Sequence, residues 1–239
     1  MGTVNDRYTQ DDHRFRDEDE YAAAKYRWTL RRLGQANSRT LLNVGCGAGL
    51  FNVLAEARGY RLTAIEPDSQ AFEIANRRAS RQARIVNTDL FAFEPDQVFD
   101  VVVLHDVLEH IEDEVTAVRH LSGLLKPNGI LIGSVPALMS LFGRHDEELG
   151  HFRRYRRRSL RISLTREFQI DRIRYFGLSG IPFVWYFSRL RRKPYPLKNE
   201  SNNQNMSSRL LKTICKFEER IVPPVGTSLL FEAKPRSRS

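Results

Sequence analysis

The sequence predicts an α/β protein with a mostly parallel, seven-stranded sheet and a helical insertion ahead of its last strand. Two observations predict this. Compact β-type runs alternate with helical stretches over residues 40–135, as parallel strands joined by crossover helices require. A glycine-rich turn, Gly45-Cys46-Gly47-Ala48-Gly49, follows the first of those runs and precedes the first crossover helix, at the carboxyl end of a strand where open α/β sheets bind ligands. With 239 residues and 41% apolar composition, the chain has material for one large domain with a buried core.

Taken in order, residues 1–20 are polar and charged with both signs, and are expected to form a flexible arm. Tyr21, Ala24, Lys25, Trp28, Arg31 and Arg32 fit a helix running to Leu33 and stopped by Gly34. Strands are expected at Thr40–Val44, Arg61–Ile65, Arg84–Val86, Phe99–Leu104 and Gly129–Val135, with helices at Leu50–Arg58, Ser69–Ser80 and Val115–Leu125. Lys126-Pro127-Asn128-Gly129 reads as a turn. A helix at Ser159–Phe168, opened by Ser159 as N-cap, then leads to strands at Gln169–Phe176 and Thr227–Ala233. The roughly fifty residues between those strands exceed an ordinary connection of about 4–6 residues. Their apolar parts, Gly180–Leu190 and Met206–Val222, flank a polar link at Lys198–Asn205 and read as a helical pair.

Composition narrows the class. Two cysteines, Cys46 and Cys215, cannot build a disulfide framework, which favours a reducing compartment. No apolar run reaches the roughly 18–20 residues of a membrane span, and the first residues lack the apolar stretch of a signal peptide; a cytoplasmic protein is expected. The net charge of +9 is unevenly spread: residues 1–143 carry 16 basic and 20 acidic residues, whereas residues 144–239 carry 22 and 9. A positive field confined to the C-terminal part suits an anionic partner, or is a solvated arginine-rich surface.

The chemistry concentrates at the glycine turn. Gly45 and Gly47 remove Cβ atoms that would obstruct a ligand, and Glu66, ending the second strand about twenty residues later, is placed to accept hydrogen bonds from a ribose diol. The third glycine comes one residue too early for a dinucleotide fingerprint. With that spacing, the segment Thr40–Val135 resembles the class I S-adenosylmethionine-dependent methyltransferases. Asn87-Thr88-Asp89-Leu90 resembles the family's loop after the third strand. Phe99-Asp100-Val101-Val102-Val103-Leu104-His105-Asp106 and the Val107-Leu108-Glu109-His110 that follows are similar to the quinone-biosynthesis-like subgroup. The family's usual first-strand acid is Asn43 here.

This resemblance implies a Rossmann-like, doubly wound sheet with its last strand antiparallel. It implies one methyltransferase domain over residues 21–239, with cap elements at 136–160 and 177–226. It further implies S-adenosyl-L-methionine as cofactor, S-adenosyl-L-homocysteine as product, and cofactor contacts from Asn43, Gly45, Cys46, Gly47, Gly49, Glu66, Pro67, Asp89, Leu90 and His105.

His105, Asp106, His110 and His151 are the candidates for a catalytic group near the crevice. His145, His151, Arg153, Arg154 and Tyr155 are candidates for gripping substrate, because arginines beyond the fifth strand can hold a carboxylate or phosphate in a two-pronged geometry. No metal is expected, since no two histidines share a helical i, i+4 spacing.

The leading reading is O-methylation of an anionic small-molecule or peptidic metabolite by in-line transfer. A second, nucleic-acid methylation, finds no RNA- or DNA-binding module in the sequence to support it. A third is a peripheral membrane-binding or interaction module that uses Gly180–Lys193, with Phe183, Trp185, Tyr186 and Phe187 followed by Arg189, Arg191, Arg192 and Lys193; the same cluster equally suits a substrate lid or a dimer surface, and the reading is compatible with the first if the acceptor is lipid-linked. The oligomeric state is left open.

Overall fold

The computed structural model describes residues 19–193 and 204–236; most of the link Lys198–Asn205 and all of the expected arm but Asp19 and Glu20, which cap and begin the first helix, lie outside them. Strands β1 (Thr40–Val44), β2 (Arg61–Ile65), β3 (Arg84–Val86), β4 (Phe99–His105), β5 (Leu125–Pro136), β6 (Phe168–Phe176) and β7 (Ser228–Pro235) form one sheet in the order β3-β2-β1-β4-β5-β7-β6. β1 through β5 pair in parallel, and β7 runs antiparallel to both β5 and β6. The strand order reverses between β1 and β4, which opens a crevice at their carboxyl ends.

The helices are α1 (Glu20–Leu33), α2 (Leu50–Glu56), α3 (Ser69–Arg78), α4 (Glu114–Gly123), α5 (Arg144–Leu149), α6 (Arg157–Leu164), α7 (Ile181–Trp185) and α8 (Gln204–Arg220). Both sheet faces are covered, so the central strands read as continuous apolar runs. Leu42, Val44, Val102 and Leu104 pack on one side with Leu121, Tyr155 and Leu160. Their alternates Leu41, Val101 and Val103 pack on the other with Trp28, Leu30 and Phe51, the period-2 alternation of a strand placing successive residues on opposite faces.

Several boundaries differ from the sequence reading. The turn expected at Lys126–Gly129 is an irregularity inside β5: pairing with β4 jumps from Phe99–Leu125 to Val101–Ile130, so Pro127, which has no N–H, needs no ladder partner. Helix α6 starts two residues early, after Arg156, and Ser159 is its third residue. Its hydroxyl still accepts the Arg156 N–H at 2.9 Å. The insertion holds two helical stretches, with α7 continuing into one π-helical turn at Tyr186–Arg191, and α8 packs on α1 through Glu219, which accepts from Arg27 Nε at 2.8 Å.

Asp68 caps α3, its Oδ1 accepting the Ala71 N–H at 2.7 Å. Asp68→Ala is expected to cost about 1 kcal/mol, lowering the melting temperature by roughly 2–4 °C in a chain of this size; a thermal melt of the two proteins side by side checks it.

Candidate active site

The loop after β1 turns back on itself. Gly45, Gly47 and Gly49 have φ of 65°, 54° and 82°, in the left-handed region that favours glycine. The loop is pinned to β2, whose Ile65 carbonyl accepts both Gly45 N–H (2.9 Å) and Cys46 N–H (3.1 Å). The glycines serve different ends. A Cβ on Gly45 would meet Val107 at 2.8 Å, and one on Gly49 would meet Ala75 at 3.0 Å, whereas one on Gly47 would meet nothing within 4 Å. Only Gly47 therefore keeps open space clear; Gly45 makes room for the chain after β4, and Gly49 for α3.

That open space is a cavity between the loop and α1, lined by Lys25, Tyr26, Gly45, Gly47, Phe51 and Asp106 among others. Asn43 also borders it; its Nδ2 donates to Asn52 Oδ1 at 2.7 Å, a neutral bond tying β1 to α2 where the resemblance leads one to look for an acid. Cys46 is buried, its thiol pointing at the Gly47 carbonyl (3.6 Å) and pushed up to about 12 by burial and by Glu66, so it is no nucleophile.

Glu66 is buried behind the loop. It accepts the Gly47 N–H at 2.7 Å on one oxygen and the Asp68 N–H at 3.0 Å on the other, so it shapes the loop as well as standing beside it. Beyond it, Asn87 Nδ2 donates to the Glu66 and Pro67 carbonyls at 2.8 and 3.2 Å. Asp89 is exposed, and its Oδ1 accepts the Phe91 and Ala92 N–H groups. Leu90 departs from expectation: its side chain is in the hydrophobic core, which leaves its backbone alone for a cofactor.

At the carboxyl end of β4, His105 is clamped. Thr29 Oγ1 and Ser134 Oγ each lie 3.2 Å from one of its ring nitrogens, and Tyr26 and Phe51 pack against the ring at centroid distances of 5.0 and 5.4 Å. Burial pushes its pKa down to about 3, so the imidazole is neutral and walls the crevice with both nitrogens engaged. Asp106 next to it takes φ 55° and pairs with the Lys25 ammonium and the Ser134 hydroxyl. Burial raises the Asp106 pKa, but the Lys25 charge and these hydrogen bonds outweigh it and hold the carboxyl below its usual range. Lys25 was overlooked as a site residue in the sequence; the available signal was a lysine on the same helix face as Ala24 and Trp28.

A second group lies beside the first. Glu109 and His110 occupy a 3₁₀ turn, Leu108–His110. The Phe152 N–H donates to the Glu109 carbonyl at 2.8 Å, which brings His151 against His110 with rings 4.5 Å apart, edge to face. His151 Nδ1 lies 2.9 Å from Asp146 Oδ1, and Arg154 Nε donates to that same oxygen at 2.7 Å. Asp146 is wholly buried; burial raises its pKa, and the His151 and Arg154 hydrogen bonds and charge bring it net below the ordinary value.

Two expected substrate residues are thereby reassigned. Arg154 is spent on Asp146 and the Ala137 carbonyl, and Tyr155 is 2% exposed within the core, its backbone paired with Pro136 and Leu138. Arg153 is more accessible and contacts the Glu112 carbonyl and Glu114. His145 lies on α5 outside the His110–His151 group.

A family model described as "Methyltransferase domain" matches residues 42–133. The ubiquinone biosynthesis O-methyltransferase of Rickettsia felis is 34% identical over 95 residues, 38% of this chain and 39% of that protein. An uncharacterized methyltransferase of Mycobacterium bovis is 36% identical over 96 residues, 39% of this chain and 49% of that protein. The chain thus matches less than half the length of these relatives. Among solved structures, the N-methyltransferase NodS of Bradyrhizobium japonicum, bound to S-adenosyl-L-homocysteine, superposes with a TM-score of 0.62 at 18% identity over 96% of this chain and 94% of that one. The Haloferax volcanii complex of the Trm112 methyltransferase activator with a putative methyltransferase gives 0.70 at 13% identity over 99% of both chains, a likeness of fold. Over residues 42–133 the chain thus matches a methyltransferase-domain family, and its strand order, with the glycine loop and second-strand glutamate at the carboxyl ends of the strands, gives it the fold of the solved S-adenosylmethionine-dependent methyltransferases.

Proposed function

We propose that the protein transfers the methyl group of S-adenosylmethionine to a hydroxyl of a small-molecule acceptor bearing an anionic group. The observation that carries this reading is the cavity that Gly47 leaves open between the β1 loop and α1, floored by His105 and Asp106. It fits the cofactor's methionine half, with Glu66 behind Gly47 on the side where a ribose diol would lie. When bound, the cofactor supplies an activated sulfonium methyl, and the protein's part is positioning, which can lower such a barrier by roughly 7–11 kcal/mol. Tyr26, Phe51 and the neutral His105 form the wall that keeps water from the methyl, and the Lys25–Asp106 pair fixes where polar groups of the ligands can sit. The O-methyltransferase name of the Rickettsia relative supports oxygen as the acceptor atom. The excess of basic residues after residue 143 and the accessible Arg153 support an anionic acceptor.

Titration calorimetry with S-adenosylmethionine and S-adenosylhomocysteine, with NAD as control, tests the reading: micromolar binding of the first two alone is expected, and binding of none would end it. Glu66→Ala is expected to weaken S-adenosylhomocysteine binding roughly 10- to 100-fold, the loss of a charged hydrogen-bond partner. Unchanged affinity would remove Glu66 from the cofactor site.

One observation favours a lipid-linked acceptor. Phe183, Trp185 and Leu190 are about half or more exposed and adjoin Arg189, Arg191, Arg192 and Lys193, while among the described residues no helix is long and apolar enough to cross a membrane. An apolar face with a basic end suits an anionic lipid surface. Co-sedimentation with anionic vesicles, lost on Trp185→Ala with Leu190→Ala, is the expected result.

A further inference from the structure

We propose that the outer face of α6 and the segment leading into it form a docking surface for single-stranded RNA, with arginines on its phosphates and Phe152 against a base. The surface begins where β5 ends. Tyr155 is bridged to Ala137, just past the carboxyl end of that strand, and α6 starts two residues later, at Arg157. Residues 152–166 hold seven arginines and no acidic residue.

Two of the seven have partners inside the protein, Arg153 with Glu114 and Arg154 with Asp146. Arg156, Arg157, Arg158 and Arg161 are exposed, and among the described residues none of them forms an ion pair. Their placement works against the helix that carries them. A helix has a partial positive charge at its N-terminal end, which favours acidic residues there. α6 instead has arginine at its N-cap and first two positions, and no acid in its first turn. Arg157 and Arg161 stand one turn apart, where like charges repel. Local choices that conflict with the fold, with nothing inside the protein to offset them, mark functional surfaces, and the partner that relieves this conflict is one carrying many negative charges.

The chemistry of the surface fits RNA better than a bilayer. Guanidinium groups bind phosphates through paired N–H donors, and Arg157 is stacked on the Tyr175 ring, 4.8 Å from its centroid, which holds its plane in place. Ahead of the helix, Phe152 is 48% exposed, with the Arg153 guanidinium 5.8 Å from its ring centroid. An exposed aromatic ring beside a row of arginines is the combination that holds single strands, bases stacking on the ring while cations follow the backbone. The helix itself exposes one large apolar residue, Ile162, whereas Leu160 and Leu164 are buried. That is too little apolar surface to enter a membrane, in contrast to the aromatic face of α7. No residue of this segment lines the cavity beside the β1 loop, so the surface holds RNA as a partner whatever that cavity binds.

The test uses the full chain and a fluorescein-labelled oligouridylate of about 20 nucleotides, read by fluorescence anisotropy between about 50 and 200 mM salt, with phosphatidylglycerol vesicles in a parallel sedimentation arm. Micromolar binding is expected at the low end, falling with about the third power of salt concentration, the slope for four phosphates neutralised on a single strand. Arg158→Glu combined with Arg161→Glu should weaken binding at least about tenfold and flatten that slope by about one power or more. Because acids suit the start of a helix, the double variant should melt no lower than the parent, which separates lost binding from lost folding. Arg158→Gln and Arg161→Gln, each alone, stand in should it not fold. Phe152→Ala should weaken binding about fivefold or more, the loss of one stacked base. Absence of binding at about 50 mM salt, or binding that survives the arginine substitutions, overturns the surface. Binding indifferent to Phe152→Ala overturns the RNA assignment, as does vesicle binding that needs Arg158 and Arg161 while oligouridylate does not bind. Calorimetry with S-adenosylhomocysteine should give the same affinity in all these variants, so that failure of the RNA surface and failure of the methyl-transfer reading are seen separately.

Discussion

Gly47→Arg is expected to abolish binding of S-adenosylmethionine and S-adenosylhomocysteine while the protein remains folded. A Cβ at this position meets no protein atom within 4 Å, so the new side chain has no core to disrupt and projects into the cavity beside Lys25 and Asp106. The backbone there has φ 54°, which costs a non-glycine residue roughly 1–2 kcal/mol, small against the stability of a domain of this size. Gly47→Ala is the control: it carries the same backbone strain and almost none of the bulk. Calorimetry should therefore find no binding to the arginine variant and affinity within about tenfold of the parent for the alanine variant, with both melting cooperatively. Equal loss in the two would mean that loop conformation, and not open space, is what matters. Full affinity in the arginine variant would mean that the cofactor lies elsewhere.

The contrast between Gly45 and Gly47 shows where sequence reasoning reaches and where it stops. The strand-loop-helix context of the glycines is a local property, legible from apolar periodicity and from residues that tolerate positive φ. The strand order around it follows from the alternation of Thr40–Val135. Which glycine faces a ligand is not local: Gly45 is constrained by Val107, 62 residues on. The same limit explains the reassigned arginine. In sequence, Arg153 and Arg154 are neighbours in a basic run. In the fold, Arg153 is the more accessible and reaches Glu112 and Glu114, whereas Arg154 is buried against Asp146, a difference set by partners distant in the chain. Tyr155 is buried as well, bridged to Ala137 just beyond β5. Lys25 was harder still. A charged residue at an inward position reads as noise until the partner or cavity it serves is in view.

Lys25→Met is expected to lower stability at neutral pH by about 3 kcal/mol, the smaller end of what breaking a buried pair costs, because Asp106 keeps its Ser134 hydroxyl bond and partial access to solvent. The variant leaves the Asp106 carboxylate facing the His105 ring without its cation. Pairing holds the Asp106 pKa in the folded protein below its unfolded value, so the stability it contributes is fully present above that unfolded value, near pH 4. It is lost as pH falls through the folded pKa. The stability difference between parent and variant should accordingly be constant from pH 5 to 8 and shrink below pH 4. Asp106→Asn provides the second arm, since asparagine tolerates the positive φ at that position and removes the charge without the shape. In the double variant the two losses should fall short of adding, by an interaction energy of about 1–3 kcal/mol. Strict additivity would mean that the pair is screened by solvent and contributes little, and the rigidity of the crevice floor would then rest on the Thr29–His105–Ser134 hydrogen bonds alone.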